Sequence, residues 1–234
     1  MFQNLISAAE LRSLIDGPIP PTILDTSFDL TDPSAGQRSY DAGHLPGAVY
    51  VHLDTDLCGA KTGRNGRHPL PDRSVFAATA GRLGIGPSTQ VVVYDRQGAM
   101  YAARLWWMLR WLGHDAVAVL DGGVAAWTEA QGSLTTDVPH VEALAPYPAV
   151  EPATNDRVAT VDADEVQAQI GKRPVIDARA GERFRGETEP LDAKAGHIPG
   201  ARNRFFKDNL DASGRFKPAA VLRDEFGADR KSVV

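Results

Sequence analysis

Two short motifs occur twice in this chain, in the same order and about 150 residues apart. Thr22–Asp25 (TILD) is matched by Pro174–Asp177 (PVID), and Gly43–Ala48 (GHLPGA) is matched by Gly196–Ala201 (GHIPGA). A repeat with so long a period indicates an internal duplication. The sequence therefore predicts two copies of one fold.

Short apolar runs alternate with amphipathic segments in each copy. Val91–Tyr94 (VVVY) is typical of a buried parallel strand, and a turn with Gly98 leads into a helical pattern that passes Met108. A strand-to-helix turn of this kind aims backbone N–H groups and the positive end of a helix at one spot, which favours an anion or a nucleophile there. The alternation predicts a parallel sheet that is covered by helices on both faces.

The other predicted elements follow the same rules. Ser7 and Glu10 form a capping-box pattern, which predicts a helix over Ala8–Ile15. No element is predicted over the polar segment Ser27–Asp41, and Asp54–Asp72 is predicted as a long loop. Further strands are predicted at Thr22–Asp25, Val49–Leu53, Ala116–Leu120 and Pro174–Asp177, and further helices at Ser74–Leu83, around Trp127, at Val161–Ile170 and at Pro218–Phe226.

Composition changes between the two copies. The stretch after Gly132 shows no clear periodicity and is interrupted by prolines, which is typical of an extended linker. We therefore predict a first domain over residues 1–131, a linker over 132–156 and a second domain over 157–234. The prolines are Pro139, Pro146, Pro148 and Pro152.

Charge and cysteine content exclude several classes of protein. The net charge of -5 argues against nucleic acid or an anionic membrane surface as a partner. No apolar run approaches the roughly 18 residues that a membrane-spanning helix needs, and the N-terminus lacks the pattern of a signal peptide. The single cysteine, Cys58, excludes an internal disulfide, so a cytoplasmic location is expected. No metal-ligand cluster or nucleotide fingerprint is present, so no metal or cofactor is predicted.

An ordered set of motifs spans nearly the whole chain. The set comprises Tyr40–Ala48, Val93–Asp95, Arg104–Trp107, Leu120–Gly123 with Trp127, Asp177–Arg179, Arg183–Gly186 and Gly196–Ala201. In these motifs the chain resembles the two-domain rhodanese family, the thiosulfate and 3-mercaptopyruvate sulfurtransferases. The resemblance implies an α/β fold of tandem rhodanese-like domains, each a parallel sheet flanked by helices. It also implies that the first domain is catalytically silent and that the second carries a nucleophilic cysteine in the loop after a central strand.

Comparison of the two copies indicates where that cysteine belongs. Asp95 takes its place in the silent copy. Because Ser232–Val234 repeats Gln90–Val92, the counterpart of Asp95 would fall about three residues after Val234. The resemblance therefore implies that the second domain lacks on the order of 40 residues or more here, including the catalytic loop. We expect the 234-residue chain to be inactive by itself.

The resemblance implies a sulfurtransferase that moves a sulfane sulfur from thiosulfate or 3-mercaptopyruvate to a thiol or cyanide acceptor. A cysteine persulfide would split this transfer into two easier steps. The donor is an anion, and a guanidinium can bind it through parallel hydrogen bonds. The resemblance assigns donor binding to Arg183, with Arg185 as a second candidate, whereas Arg179 is expected to be structural. Glu189–Asp192 contains no arginine, unlike some mercaptopyruvate-type relatives, so the choice of donor stays open.

Two residues of the first copy are candidates for assisting catalysis. Asp56 and His68 match an acid and a histidine that are proposed to assist a loop hydroxyl in some mercaptopyruvate-type relatives. The alternative is that Asp56 caps a turn and that His68 is an exposed loop residue. Cys58 lies between Leu57 and Gly59, which supply no positive charge, so it is not predicted to be the nucleophile.

The repeated histidines and an alternative to an enzyme complete the predictions from the sequence. His44 and His197 occur in both copies, one of which is silent, so they are expected to fix a turn. A non-catalytic rhodanese-type module that binds partners or anions is the alternative to an enzyme.

Overall fold

The computed structural model describes residues 1–148 and 158–231. The chain divides into two compact units, 1–159 and 160–234. Two features predicted from the sequence lie wholly or partly outside the described residues, the end of the predicted linker at 149–156 and the repeated strand at Ser232–Val234.

A five-stranded parallel sheet forms the first unit, in the order β1-β5-β4-β2-β3. Its strands are β1 (Leu5–Ile6), β2 (Thr22–Asp25), β3 (Ala48–Tyr50), β4 (Val91–Tyr94) and β5 (Val117–Leu120). β4 lies at the centre and is fully buried, as its run of β-branched residues predicts.

Helices cover both faces of this sheet. They are α1 (Ala8–Ile15), α2 (Ala35–Ala42), α3 (Leu53–Asp56), α4 (Arg73–Arg82), α5 (Ala102–Leu112) and α6 (Gly123–Glu129). Val91 and Val93 face a core that includes residues of α4 and α5, whereas Val92 and Tyr94 face a core that includes residues of α1 and α6. The predicted α/β fold with a parallel sheet flanked by helices is confirmed.

Two local predictions for the first unit were wrong. The strand predicted over Val49–Leu53 ends at Tyr50, because Leu53 begins α3 and the side chain of His52 caps it by accepting the N–H of Asp54. The polar segment after Ser27 contains α2, which buries only Gly36 and Tyr40 and therefore shows a weak apolar pattern.

The second unit is built around a two-stranded parallel sheet of β6 (Ile176–Asp177) and β7 (Arg202–Asn203). Its helices are α7 (Ala163–Gln169), α8 (Gly181–Arg185), a short 3-10 helix (Phe206–Asn209) and α9 (Ala219–Lys231). Ile176 is 49% exposed, in contrast to the fully buried strands β4 and β5 of the first unit. Over residues 1–148 and 158–231, the helices are all too short or too polar to cross a membrane.

Candidate functional site

The loop after β4 surrounds the carboxylate of Asp95, which is 2% exposed. Its Oδ1 accepts the backbone N–H groups of Gln97 and Ala99, each at 2.9 Å, and its Oδ2 accepts those of Tyr101 and Ala102 at 2.8 and 2.9 Å. α5 begins at Ala102, so the positive end of that helix faces the same carboxylate. This loop has the form of an anion site that the chain fills with its own side chain.

The end of β2 contributes a second buried acid beside this loop, since β2 pairs with β4 and Asp25 is opposite Tyr94. Asp25 is fully buried, and its Oδ1 accepts the N–H of Ser27 at 2.8 Å. Its Oδ2 and the hydroxyl of Ser27 make no hydrogen bond of ordinary geometry with any described residue. Burial raises the pKa of Asp25, and the hydrogen bond from the backbone N–H of Ser27 opposes that rise.

In the second unit, Arg183 lies on α8 and is held by two carboxylates. Its Nη2 donates to Glu189 Oε1 at 2.7 Å, and its Nε donates to Glu189 Oε2 at 3.3 Å. A weaker contact joins Nη2 to Asp192 Oδ2 at 3.2 Å. The Arg183 side chain is 18% exposed, so the predicted donor-binding group is fixed in a partly buried position.

Arg179 and Arg185 differ sharply in their surroundings. Arg179 forms ion pairs with Asp177 at 2.6 Å and with Glu189 at 3.2 Å, and its Nη2 also donates to the carbonyl of Gly196. Arg185 is exposed and pairs with Glu187 through two hydrogen bonds. Arg179 thus joins three segments of the unit, whereas Arg185 makes a local surface pair.

Asp56 and His68 make separate contacts in the structure. Asp56 pairs with Arg82 at 2.5 Å and accepts the N–H of His52 at 2.8 Å. His68 Nε2 lies 3.5 Å from Asp54 Oδ1, and burial lowers the pKa of His68. The acid beside His68 is therefore Asp54, two positions before the one that the resemblance selects.

Cys58 has a positive neighbour that its sequence flanks do not reveal. Arg104 Nη2 lies 3.7 Å from Cys58 Sγ and donates to the carbonyls of Leu57 and His68 at 2.8 and 3.0 Å. Burial nevertheless raises the pKa of the Cys58 thiol, because desolvation outweighs the attraction of Arg104. The sequence signal for this contact was Arg104 itself, a charged residue in the otherwise apolar first turns of α5.

The repeated histidines make equivalent contacts in the two units. His44 stacks on Tyr40 with ring centroids 3.7 Å apart, and its Nδ1 is 2.8 Å from the Tyr40 carbonyl. His197 stacks on Phe184 at 3.8 Å, and its Nδ1 is 2.7 Å from the Phe184 carbonyl. Each ring is held against the helix that precedes its own turn.

Among residues 1–148 and 158–231, no three His, Cys, Asp or Glu side chains are grouped to hold a metal ion.

Comparison with known proteins assigns the family. The rhodanese-like domain model matches residues 7–130. A Pseudomonas aeruginosa protein named "Probable 3-mercaptopyruvate sulfurtransferase" is 42% identical over 96% of this chain and 78% of its own length. Human 3-mercaptopyruvate sulfurtransferase is 38% identical over 97% of this chain and 77% of its own length.

Other relatives extend the match. The thiosulfate sulfurtransferase of Gallus gallus is 32% identical over 87% of this chain and 69% of its own length. The crystal structure of SseA from Escherichia coli, described as a 3-mercaptopyruvate sulfotransferase, superposes with a TM-score of 0.75 at 29% identity, over 97% of this chain and 84% of that one. These matches confirm the predicted family, its tandem fold and its sulfur-transfer activity. The chain belongs to the rhodanese family and is a sulfurtransferase.

Proposed function

We propose that the sulfur travels through a cysteine persulfide and that the cysteine lies outside residues 1–234. The thiolate would attack the outer sulfur of thiosulfate, the S–S bond would break, and sulfite would leave with the electron pair. A thiol or cyanide acceptor would then attack the persulfide and release the thiolate. Two transfers at one sulfur replace a single difficult step.

Cys58 is a poor candidate for this nucleophile, which supports the proposal. Its thiol pKa is raised by burial, whereas a reactive cysteine needs a lowered pKa. The loop that could stabilise a thiolate in the first unit is already filled by the carboxylate of Asp95. We therefore infer that the domain over residues 1–131 is catalytically silent and that the domain beginning near residue 157 binds the donor.

The geometry of Arg183 is the observation that carries donor binding. Two of its nitrogens are fixed by Glu189, and its Nη1 has no hydrogen-bond partner among the described residues. Nη1 carries two N–H groups, so it can donate to an oxygen of a mercaptopyruvate carboxylate or of thiosulfate. Arg185 is the secondary donor contact, and Asp56 and His68 remain proposed assistants. 3-Mercaptopyruvate and thiosulfate both occur in the names of the relatives, so both are proposed as donors. The proposed location is the cytoplasm.

The test is Arg183→Ala in protein that contains the persulfide cysteine, assayed with thiosulfate and with 3-mercaptopyruvate. We expect KM for the donor to rise at least about tenfold, because a charged pair of hydrogen bonds is lost. The exposed Arg38→Ala variant of the first unit is the matched control. An unchanged kcat/KM in R183A would refute the donor-binding role. No turnover of either donor by the unmodified protein would refute the reaction and favour a binding module.

A further inference from the structure

The buried carboxylate of Glu189 accepts hydrogen bonds from two arginines and from two backbone N–H groups. Its side chain is 5% exposed, although it lies in a polar loop. Oε1 accepts from Arg183 and from the backbone N–H groups of Leu191 and Asp192, each of these two at 3.0 Å. Oε2 accepts from Arg183 and from Arg179. The hydrogen bond from Arg183, with the two backbone N–H groups, lowers the pKa of Glu189 to about 2, so the carboxylate is ionised near neutral pH.

The internal duplication shows that Glu189 is an addition to the common fold. The aromatic residue and the histidine that stack are separated by 4 positions in the first copy, Tyr40 and His44, and by 13 in the second, Phe184 and His197. The longer connection in the second copy contains Glu189. The residue before the aromatic ring is Ser39 in the first copy and Arg183 in the second. The arginine and its carboxylate thus occur together, in the same copy.

The contacts of Glu189 also indicate what it does to Arg183. An arginine side chain loses considerable rotamer freedom when it binds a ligand, and an ion pair that fixes it beforehand removes that cost. Glu189 is itself anchored by Arg179 and by two backbone N–H groups, so a donor anion would not displace it. The remaining nitrogen, Nη1, is left for another acceptor.

We propose that Glu189 is a positioning residue for the sulfur donor, which holds Arg183 in the orientation that binds the donor anion. This inference rests on the proposed role of Arg183. It assigns to Glu189 no contact with the donor and no part in the transfer of sulfur. Its removal should therefore weaken donor capture and leave the chemical step nearly intact.

The kinetic test compares Glu189→Gln with a control in protein that contains the persulfide cysteine. The control is Arg204→Gln, which removes an ion pair of the same unit that does not involve Arg183. We expect E189Q to raise KM for the donor about tenfold with kcat within about threefold. The control should stay within about twofold in KM. An unchanged or lower KM in E189Q would overturn the inference.

A second measurement keeps the test decisive if E189Q folds poorly or if the unmodified protein lacks turnover. The Nε–H resonance of Arg183 can be followed by NMR in the 234-residue chain, with E189D as the conservative variant. We expect a sharp, slowly exchanging signal in the unmodified chain, an intermediate signal in E189D and a broadened one in E189Q. Equal signals in all three would overturn the inference. Failure of turnover alone would count against the proposed function.

Discussion

Arg96 and Arg179 bind the same backbone group in the two copies, although they come from different loops. Each donates through Nη2 to the carbonyl of the glycine that opens the Gly-His motif, Gly43 in the first copy and Gly196 in the second. Arg96 follows β4, whereas Arg179 follows β6. The position of Arg179 is occupied in the first copy by Ser27, so the same carbonyl is held from a neighbouring strand.

Removal of Arg96 should destabilise the first unit. Arg96→Ala loses hydrogen bonds to the carbonyls of Ser39 and Gly43, and hydrogen bonds to charged groups contribute about 1.5–3 kcal/mol each. We expect the free energy of unfolding to fall by about 3 kcal/mol, the lower end of the range for two such bonds, measured by urea denaturation. The control is Arg38→Ala, whose pair with Asp32 is exposed to solvent and should therefore contribute little to stability. Equal losses in the two variants would contradict the prediction.

A cysteine placed in the loop after β4 should become acidic. In Asp95→Cys, combined with Cys58→Ser, the thiolate would face the four N–H groups that now bind the carboxylate. Such groups and a helix N-terminus lower the pKa of a thiol below its ordinary value of about 8.5. The rate of alkylation by iodoacetamide as a function of pH measures this pKa. Cys58 in the unmodified chain is the reference, and its pKa is raised. A higher pKa at position 95 than at Cys58 would show that the loop does not stabilise an anion.

The buried acid Asp25 should make stability depend on pH. The pKa of Asp25 is higher in the folded chain than in the unfolded chain, where it is about 4. Between these two pKa values, the folded chain binds a proton at Asp25 more readily than the unfolded chain does. This group therefore adds stability at acidic pH and costs stability at neutral pH. We expect Asp25→Asn to have a higher Tm than the unmodified chain at pH 7, with the difference shrinking near pH 4. A difference that grows on acidification would contradict the assignment.

Replacement of Cys58 should leave sulfur transfer intact. Cys58→Ser retains the shape of the side chain, and the loop remains tied to α5 because Arg104 binds the carbonyls of Leu57 and His68. We expect kcat and KM within about twofold of the unmodified values in protein that contains the persulfide cysteine. The assay is thiosulfate-dependent transfer to cyanide. A loss of more than a hundredfold would make Cys58 the nucleophile.

Regular patterns in the sequence were sufficient for the main elements of the first unit. The run Val91–Tyr94 predicted the central strand, and the Ser7–Glu10 pair predicted α1 with its capping box. α2 could not be predicted, because only two of its residues, Gly36 and Tyr40, are buried and its composition is typical of a loop. Gly36 is required there, since a Cβ would lie 1.9 Å from the carbonyl oxygen of Ser27.

The details of the candidate site depend on contacts that a linear sequence does not display. Arg104 and Cys58 are 46 positions apart, so the sequence flanks of the cysteine gave no hint of the guanidinium. In the sequence, Glu189 shows only as part of a stretch without arginine, because its role depends on how the loop folds back onto α8. Local propensity predicts elements well, whereas ion pairs between distant segments require the fold itself.

The edges of the sheet in the first unit have a consequence for the behaviour of the chain at high concentration. This sheet ends in strands of two and three residues, β1 and β3, which offer few unpaired backbone groups to another molecule. A long, flat strand edge is a template for intermolecular pairing. The first unit is therefore protected against edge-to-edge association with a second molecule.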